Sequence, residues 1–211
     1  MLKNHLRLYH RHWHWKRAGI VFIHVPKAAG TSFSVPIYGR FLGHYSVNEI
    51  NRFNASILRK LPSFGVVRNP WDRCLSAYRF AKRPEINDGK TPEINAEIRE
   101  AVAPYESFES FVIDWLAKQD INKSDYVFQE QSNFLCNNQN EVLVDYVGKI
   151  EKLDGLHQWL RENFDPNFSI VTLNTSGEKV DFKKWYSPQT WEIVGELYKR
   201  DISNFYPELS Q

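Results

Sequence analysis

Apolar positions in this chain fall first into short continuous runs. Ile20-Val21-Phe22-Ile23-His24-Val25 is one, bounded by Gly19 and Pro26, and its β-branched content predicts a buried strand. Phe64-Gly65-Val66-Val67 predicts a second, and residues 142–147 and 169–173 predict two more. Between the runs the spacing of apolar residues changes to three and four, which predicts helices over 31–42, 46–60, 107–118, 151–164 and 188–205. Pro36 and Gly39 make the first of these irregular. Ser46 with Glu49 three residues on is a capping box. Asn69-Pro70 reads as an N-cap followed by proline at the first helical position.

Strands alternating with helices imply an α/β protein with a parallel sheet flanked by helices. In such folds ligands collect at the carboxyl ends of the strands. With 211 residues and no internal repeat, one domain over 1–211 is expected. Residues 83–105, which carry Pro84, Pro92 and Pro104, read as a surface insertion or lid.

Composition narrows the class. An apolar fraction of 42% with 14 Phe, 10 Tyr and 7 Trp supports a packed core and excludes a disordered chain. A net charge of +2 is too small for general nucleic-acid binding, so no nucleic-acid partner is expected. Cys74 and Cys136 make neither a disulfide framework nor a metal site and read as buried, reduced thiols. No apolar run is long enough for a transmembrane helix, and the N-terminus has no signal-peptide pattern. A soluble, cytoplasmic protein is the expectation, with a Golgi lumen location only if an anchor has been removed.

Charge is nevertheless uneven. Residues 1–17 hold Lys3, Arg7, Arg11, Lys16 and Arg17 and no acid, interleaved with His5, His10, His12, His14, Tyr9, Trp13 and Trp15. This is expected to be a basic edge segment leading into the first strand. On a strand, His10, His12 and His14 would share one face. A contact surface for an acidic substrate and a metal site are the sharper readings, the second weakened by the lack of carboxylate or Cys partners.

The chemistry sits at the strand ends. After the first strand, Pro26-Lys27-Ala28-Ala29-Gly30 is a low-bulk loop, and Thr31-Ser32 opens a helix. Free backbone N–H groups at a helix start, the positive helix end, a lysine and two hydroxyls make an anion cradle. The pattern differs from the triphosphate loop G-x-x-x-x-G-K-[ST], because Lys27 precedes Gly30 by three residues. After the second strand, Arg68 offers a guanidinium that can grip an oxyanion, with Arg73 and Ser76 sharing a face of the following helix. Two strand-end anion sites suggest a ligand with two separated anionic groups.

The segments HVPKAAGTS and VVRNPWDRCLSAY resemble the two donor-binding motifs of sulfotransferases that use PAPS, 3′-phosphoadenosine 5′-phosphosulfate. The similarity is to the carbohydrate O-sulfotransferase branch related to the heparan sulfate enzymes, and it extends from about residue 20 to 206 through Gln131-Ser132-Asn133-Phe134-Leu135, Val147–Leu153 and Leu173-Asn174-Thr175-Ser176. The resemblance implies a P-loop-like three-layer fold, PAPS as sulfuryl donor, PAP as product, no metal, and a carbohydrate or other hydroxyl-bearing acceptor. It implies that Lys27, Ala29, Gly30, Thr31 and Ser32 hold the 5′-phosphosulfate and that Arg68 and Ser76 hold the 3′-phosphate. Asn174, Thr175 and Ser176, with Lys179, would close over the nucleotide. Ala28 departs from the family pattern, which often has Thr there.

Sulfuryl transfer needs a base for the acceptor hydroxyl and a cation for the leaving phosphate. Lys27 suits the second task. Leu42-Gly43-His44-Tyr45 is similar to the segment that supplies the base in 6-O-type enzymes, which makes His44 the expected base. His24 and Glu49 are rivals, and His157 reads as structural. Two other functions stay open at this point: a P-loop-like kinase using ATP, and a non-catalytic nucleotide- or glycan-binding module.

Overall fold

The computed structural model describes residues 2–84, 94–169 and 181–209. In chain order the main elements are α1 (Leu2–Ala18), β1 (Val21–Ile23), α2 (Thr31–Tyr38), α3 (Val47–Asn54), α4 (Ile57–Lys60), β2 (Ser63–Val67), α5 (Pro70–Ala81) and α6 (Ala96–Val102). There follow α7 (Phe108–Ser110), α8 (Ser132–Leu135), β3 (Tyr146–Lys149), α9 (Asp154–Asn163), α10 (Pro188–Leu197) and α11 (Lys199–Phe205). They form two compact units. One takes in Met1–Arg68 with Gln131–Glu178, the other Asn69–Glu130 with Lys179–Gln211.

The first unit holds a parallel sheet of order β1-β2-β3, in which Phe22 pairs with Phe64 and Val66 with Gly148. The mixed α/β architecture with a parallel, helix-flanked sheet is therefore observed. One sheet face buries Phe22, Phe64 and Val66 against Phe33 of α2 and Leu156 and Leu160 of α9. Two glycines let helices approach. A Cβ at Gly148 would lie 2.7 Å from Leu156, and one at Gly65 would lie 2.4 Å from Leu135 on the opposite face. The Tyr38 hydroxyl fixes α2 to β1: it donates to Ile20 O (3.0 Å) and accepts from the Phe22 N–H (2.8 Å). The capping box at Ser46 is present.

Several expectations change. The basic N-terminal segment is a helix, α1, rather than an edge segment. Its buried positions, Leu8 and Trp15, are seven apart, which is helical spacing. His10 and His14 consequently stack edge-on at 4.7 Å, while His12 turns away and contacts Asn54 Nδ2 at 2.8 Å. Among the described residues no group of three or more His, Cys, Asp or Glu is placed to hold a metal ion. The helix expected over 46–60 breaks into α3 and α4. The strand expected at 142–147 begins only at Tyr146, because Leu143 N–H bonds to Leu135 O and Asp145 accepts from Ser63 N–H and Oγ. The expected strand at 169–173 lies outside the described residues apart from its first position. Within the expected lid, 85–93 also lie outside them, and the rest includes α6.

The second unit is helical around an aromatic core. Trp71, Tyr78, Phe108, Phe111, Phe128 and Tyr198 are its main members. Asn69 caps α5 by accepting from the Trp71 and Asp72 N–H groups, and Pro70 follows as expected. The helix expected at 107–118 is composite: α7 passes into a π-helical turn over Phe111–Trp115 and a 3-10 turn over Leu116–Lys118. The single closing helix is two, α10 and α11. Among the described residues no helix is long and apolar enough to cross a membrane.

Candidate active site

The site builds from the end of β1. Val25 and Pro26 are buried, and the chain then turns through Lys27-Ala28-Ala29-Gly30. Lys27 and Ala29 sit at φ 63° and 57°, left-handed conformations that cost a residue with a Cβ about 1–2 kcal/mol. The turn tightens through Ser32 N–H to Ala29 O (3.0 Å) and Ser34 N–H to Gly30 O (2.9 Å). Gly30 occupies the N-cap of α2 and has no side chain to satisfy the helix start. Among the described residues, the Ala29, Gly30 and Thr31 N–H groups have no acceptor within the chain. Donors at the positive end of a helix are the arrangement that suits an anion. Thr31 is exposed and Ser32 half-buried, so both hydroxyls are accessible at the rim. Ala28 is buried.

Arg68 enters the same place from the end of β2. Its Nη1 donates to Lys27 O at 3.4 Å. Gln131 fixes its backbone by a reciprocal pair: Oε1 accepts from the Arg68 N–H and Nε2 donates to the Arg68 carbonyl, both at 2.9 Å. Gln131 is fully buried. Sequence reasoning gave it no role; the only signal was its place in a segment similar to the family.

His24 lies under the loop. Its ring stacks on Phe22, touches Phe41 and lies 4.3 Å from the His44 ring. Burial, reinforced by the charges of His44 and Lys27, holds its pKa well below the usual imidazole value. His24 is 7% exposed and packs among these rings. His44 is only partly buried, and its Nδ1 lies 2.9 Å from the His24 carbonyl oxygen. A carbonyl can only accept, so Nδ1–H is the donor of this bond. Glu49 is engaged in the capping box, where its carboxylate accepts from the Ser46 N–H and hydroxyl.

Of the expected site residues, Lys27, Ala29, Gly30, Thr31, Ser32, His44 and Arg68 belong to this first unit. Ser76 lies on α5 in the second unit and is half-buried. Arg73, expected to share its face, is 1% exposed and points into the core, where Nη2 donates to Gln129 O (2.7 Å) and Val127 O (3.4 Å). Asn174, Thr175, Ser176 and Lys179 lie outside the described residues. His157 is on α9.

A lysine-bearing left-handed turn at one parallel strand end, braced by an arginine from the next, marks the carboxyl edge of the sheet of this α/β protein. The chain belongs to the Sulfotransferase family, whose profile matches residues 11–207, nearly its whole length. The family's activity is sulfotransfer, which implies a hydroxyl-bearing acceptor. No curated protein and no solved structure matches the chain at a significant level.

Proposed function

We propose that this protein is a PAPS-dependent O-sulfotransferase whose acceptor is a carbohydrate hydroxyl and whose base is His44. The observation that carries the reading is the placement of His44: its Nδ1–H donates to the His24 carbonyl at 2.9 Å, and its ring lies 4.3 Å from that of His24, which packs against Gly30 of the turn.

In this reading His44 Nε2 accepts the proton of the attacking hydroxyl as the new O–S bond forms. The S–O bond to the 5′-phosphate breaks, and the electron pair stays with the phosphate of PAP. Lys27 and the N–H groups of Ala29, Gly30 and Thr31 neutralise that developing charge, with the Thr31 and Ser32 hydroxyls as further donors. Arg68 takes the 3′-phosphate. Ser76 and the segment Asn174-Thr175-Ser176 are carried from the family resemblance alone. Positioning and electrostatics do the chemistry, so the residues present supply the positive charge without a metal.

Thermal-shift measurements test the donor. Stabilisation by PAP with none by ATP and magnesium supports it, and the reverse pattern would replace it with a kinase. Labelled PAPS and a glycan panel test the acceptor class; transfer to tyrosyl or small phenolic acceptors alone would overturn the carbohydrate reading.

A further inference from the structure

Two glycines in left-handed conformations, Gly39 at φ 70° and Gly43 at φ 96°, bracket the chain that leads to His44. Residues 41–46 belong to no helix or strand, so individual contacts set their course. A backbone of that kind pivots about its glycines unless something holds it. His44 is tied on one side, where its Nδ1–H donates to the His24 carbonyl at 2.9 Å. Its ring lies 4.3 Å from that of His24 and 5.2 Å from that of Phe41. Phe41 is 45% exposed, so it walls the ring only in part.

A second tie comes from α1, the basic helix to which the proposed chemistry gives no part. Arg11 Nε donates to Leu42 O at 2.9 Å, across 31 positions of chain. Its guanidinium carbon lies 5.7 Å from the centre of the Tyr45 ring. Leu42 and Tyr45 stand just before and just after Gly43-His44, so one side chain grips the segment on both sides of the proposed base. The Leu42 side chain is buried and anchors the same point from within. Tyr45 in turn closes over Gly43: a Cβ there would lie 3.2 Å from its ring. Arginine suits both tasks at once, because Nε supplies a directed donor while the planar guanidinium faces a ring. A lysine ammonium on the same stem would serve one partner or the other. α1 is itself seated by the buried Leu8 and Trp15, so Arg11 projects from a fixed support.

We propose that Arg11 is a positioning residue for sulfuryl transfer and acts through His44. By holding Leu42 and Tyr45 it fixes where the imidazole stands, and α1 becomes part of the frame that places the base. The role needs no contact between Arg11 and donor or acceptor. A base displaced by about 1 Å from the hydroxyl it serves loses on the order of tenfold to a hundredfold in rate. A purely structural role would lower stability and leave the rate per folded molecule unchanged. The inference rests on the reading of His44 as the base, but the placement of its ring can be followed without turnover.

The test uses the full chain with isotopically labelled histidine. Proton–nitrogen correlation spectra report the tautomer and surroundings of each imidazole, and His44→Ala assigns the His44 signals. Arg11→Ala is expected to shift those signals and to mix the two neutral tautomers of His44. Lys16→Ala, at an exposed position of the same helix, is expected to leave them in place. In assays with labelled PAPS and heparosan, chondroitin or dextran as acceptor, Arg11→Ala is expected to lower kcat about tenfold or more. The KM for PAPS and the stabilisation by PAP should stay within about twofold of wild type, since Arg11 acts on the base and not on the donor turn. In a His44→Ala background the same substitution should have no further effect on kcat. Arg11→Lys keeps the charge and serves if the alanine variant folds poorly; it is expected to recover only part of the rate. Unmoved His44 signals in both Arg11 variants overturn the inference. So does an unchanged kcat, an equal loss of kcat in the His44→Ala background, or full recovery in Arg11→Lys. If none of the three acceptors is sulfated, the imidazole signals decide alone. Normal turnover in His44→Ala, with the His44 signals displaced in Arg11→Ala, would overturn the base reading and leave Arg11 as the residue that places this ring.

Discussion

A Cβ at Gly30 would lie 1.8 Å from Cδ2 and 1.9 Å from Nε2 of the buried His24 ring, so the anion-binding turn closes directly onto that imidazole. The loop and the ring occupy one packed volume in which no added methyl fits. Gly30→Ala is expected to destabilise the fold by about 1–3 kcal/mol through overpacking and to abolish stabilisation by PAP. His24→Ala in the same chain makes room, so the double variant is expected to recover part of the melting temperature. Additive losses in a double-mutant cycle would show that the two positions are not coupled.

Acid should unfold this protein through His24. The folded protein holds the imidazole neutral, with Nδ1 buried and without a partner, while the unfolded chain binds a proton near pH 6.5. The unfolded state therefore binds more protons below that pH, and stability rises with pH across the window from the depressed folded value up to about 6.5. The melting temperature is expected to be level from about pH 7 to 8 and to fall as the pH drops below about 6.5. His24→Asn is expected to flatten that fall in part, since His12 and His14, whose values burial also lowers, contribute the same sign. An unchanged slope in the variant would assign the acid sensitivity elsewhere.

Gln131 is expected to matter as much as the arginine it holds. Its amide satisfies both the N–H and the carbonyl of Arg68 from a fully buried position. Gln131→Ala leaves both groups unsatisfied and should cost about 1–3 kcal/mol in urea unfolding. It should also weaken PAP binding in the direction of Arg68→Ala. Gln131→Glu keeps the acceptor, loses the donor and buries a charge, so it is expected to be no better.

The parts of this site that were legible in the sequence are those made by local chemistry. The strand–turn–helix at 20–32, the Ser46 capping box and the Asn69-Pro70 helix start each depend on residues a few positions apart. What was not legible depends on distant partners. The start of β3 at Tyr146 is set by Asp145 gripping Ser63 and by Gly148 admitting Leu156. The role of Gln131 exists only because 63 positions of chain bring it back to Arg68. Alternating histidines at 10, 12 and 14 suggested an extended face, but the apolar spacing of Leu8 and Trp15 carries more free energy than any histidine pattern, and it is helical. Arg73 was expected to share a helix face with Ser76; burial instead turned its guanidinium to carbonyls of its own unit.

Cys74 should be chemically silent. Burial pushes its thiol up to about 12, with Tyr186 and Arg73 opposing only in part. At pH 8 a native sample treated with a disulfide reagent such as DTNB is expected to leave Cys74 unlabelled by peptide mapping, and labelling should appear only with unfolding. Labelling of Cys74 without loss of structure would mean that the core around α5 opens locally.

His44→Ala is expected to retain stabilisation by PAP and to lower turnover about 100-fold or more. Lys27→Ala and Arg68→Ala should instead weaken PAP itself. A His44→Ala enzyme with normal turnover would remove it from the proton-transfer step.

The left-handed pair Lys27 and Ala29 has a wider consequence. A turn that keeps two side-chain-bearing residues at φ 63° and 57° has few other shapes to visit. Its entropy is spent during folding, before any donor arrives. Recognition at such a turn selects on fit at first contact, so a donor of the wrong length or charge is rejected by the pocket's shape rather than accommodated by its movement. Replacing Ala29 with glycine would relax the backbone and give a more permissive protein, one that accepts more anions and holds each of them less firmly.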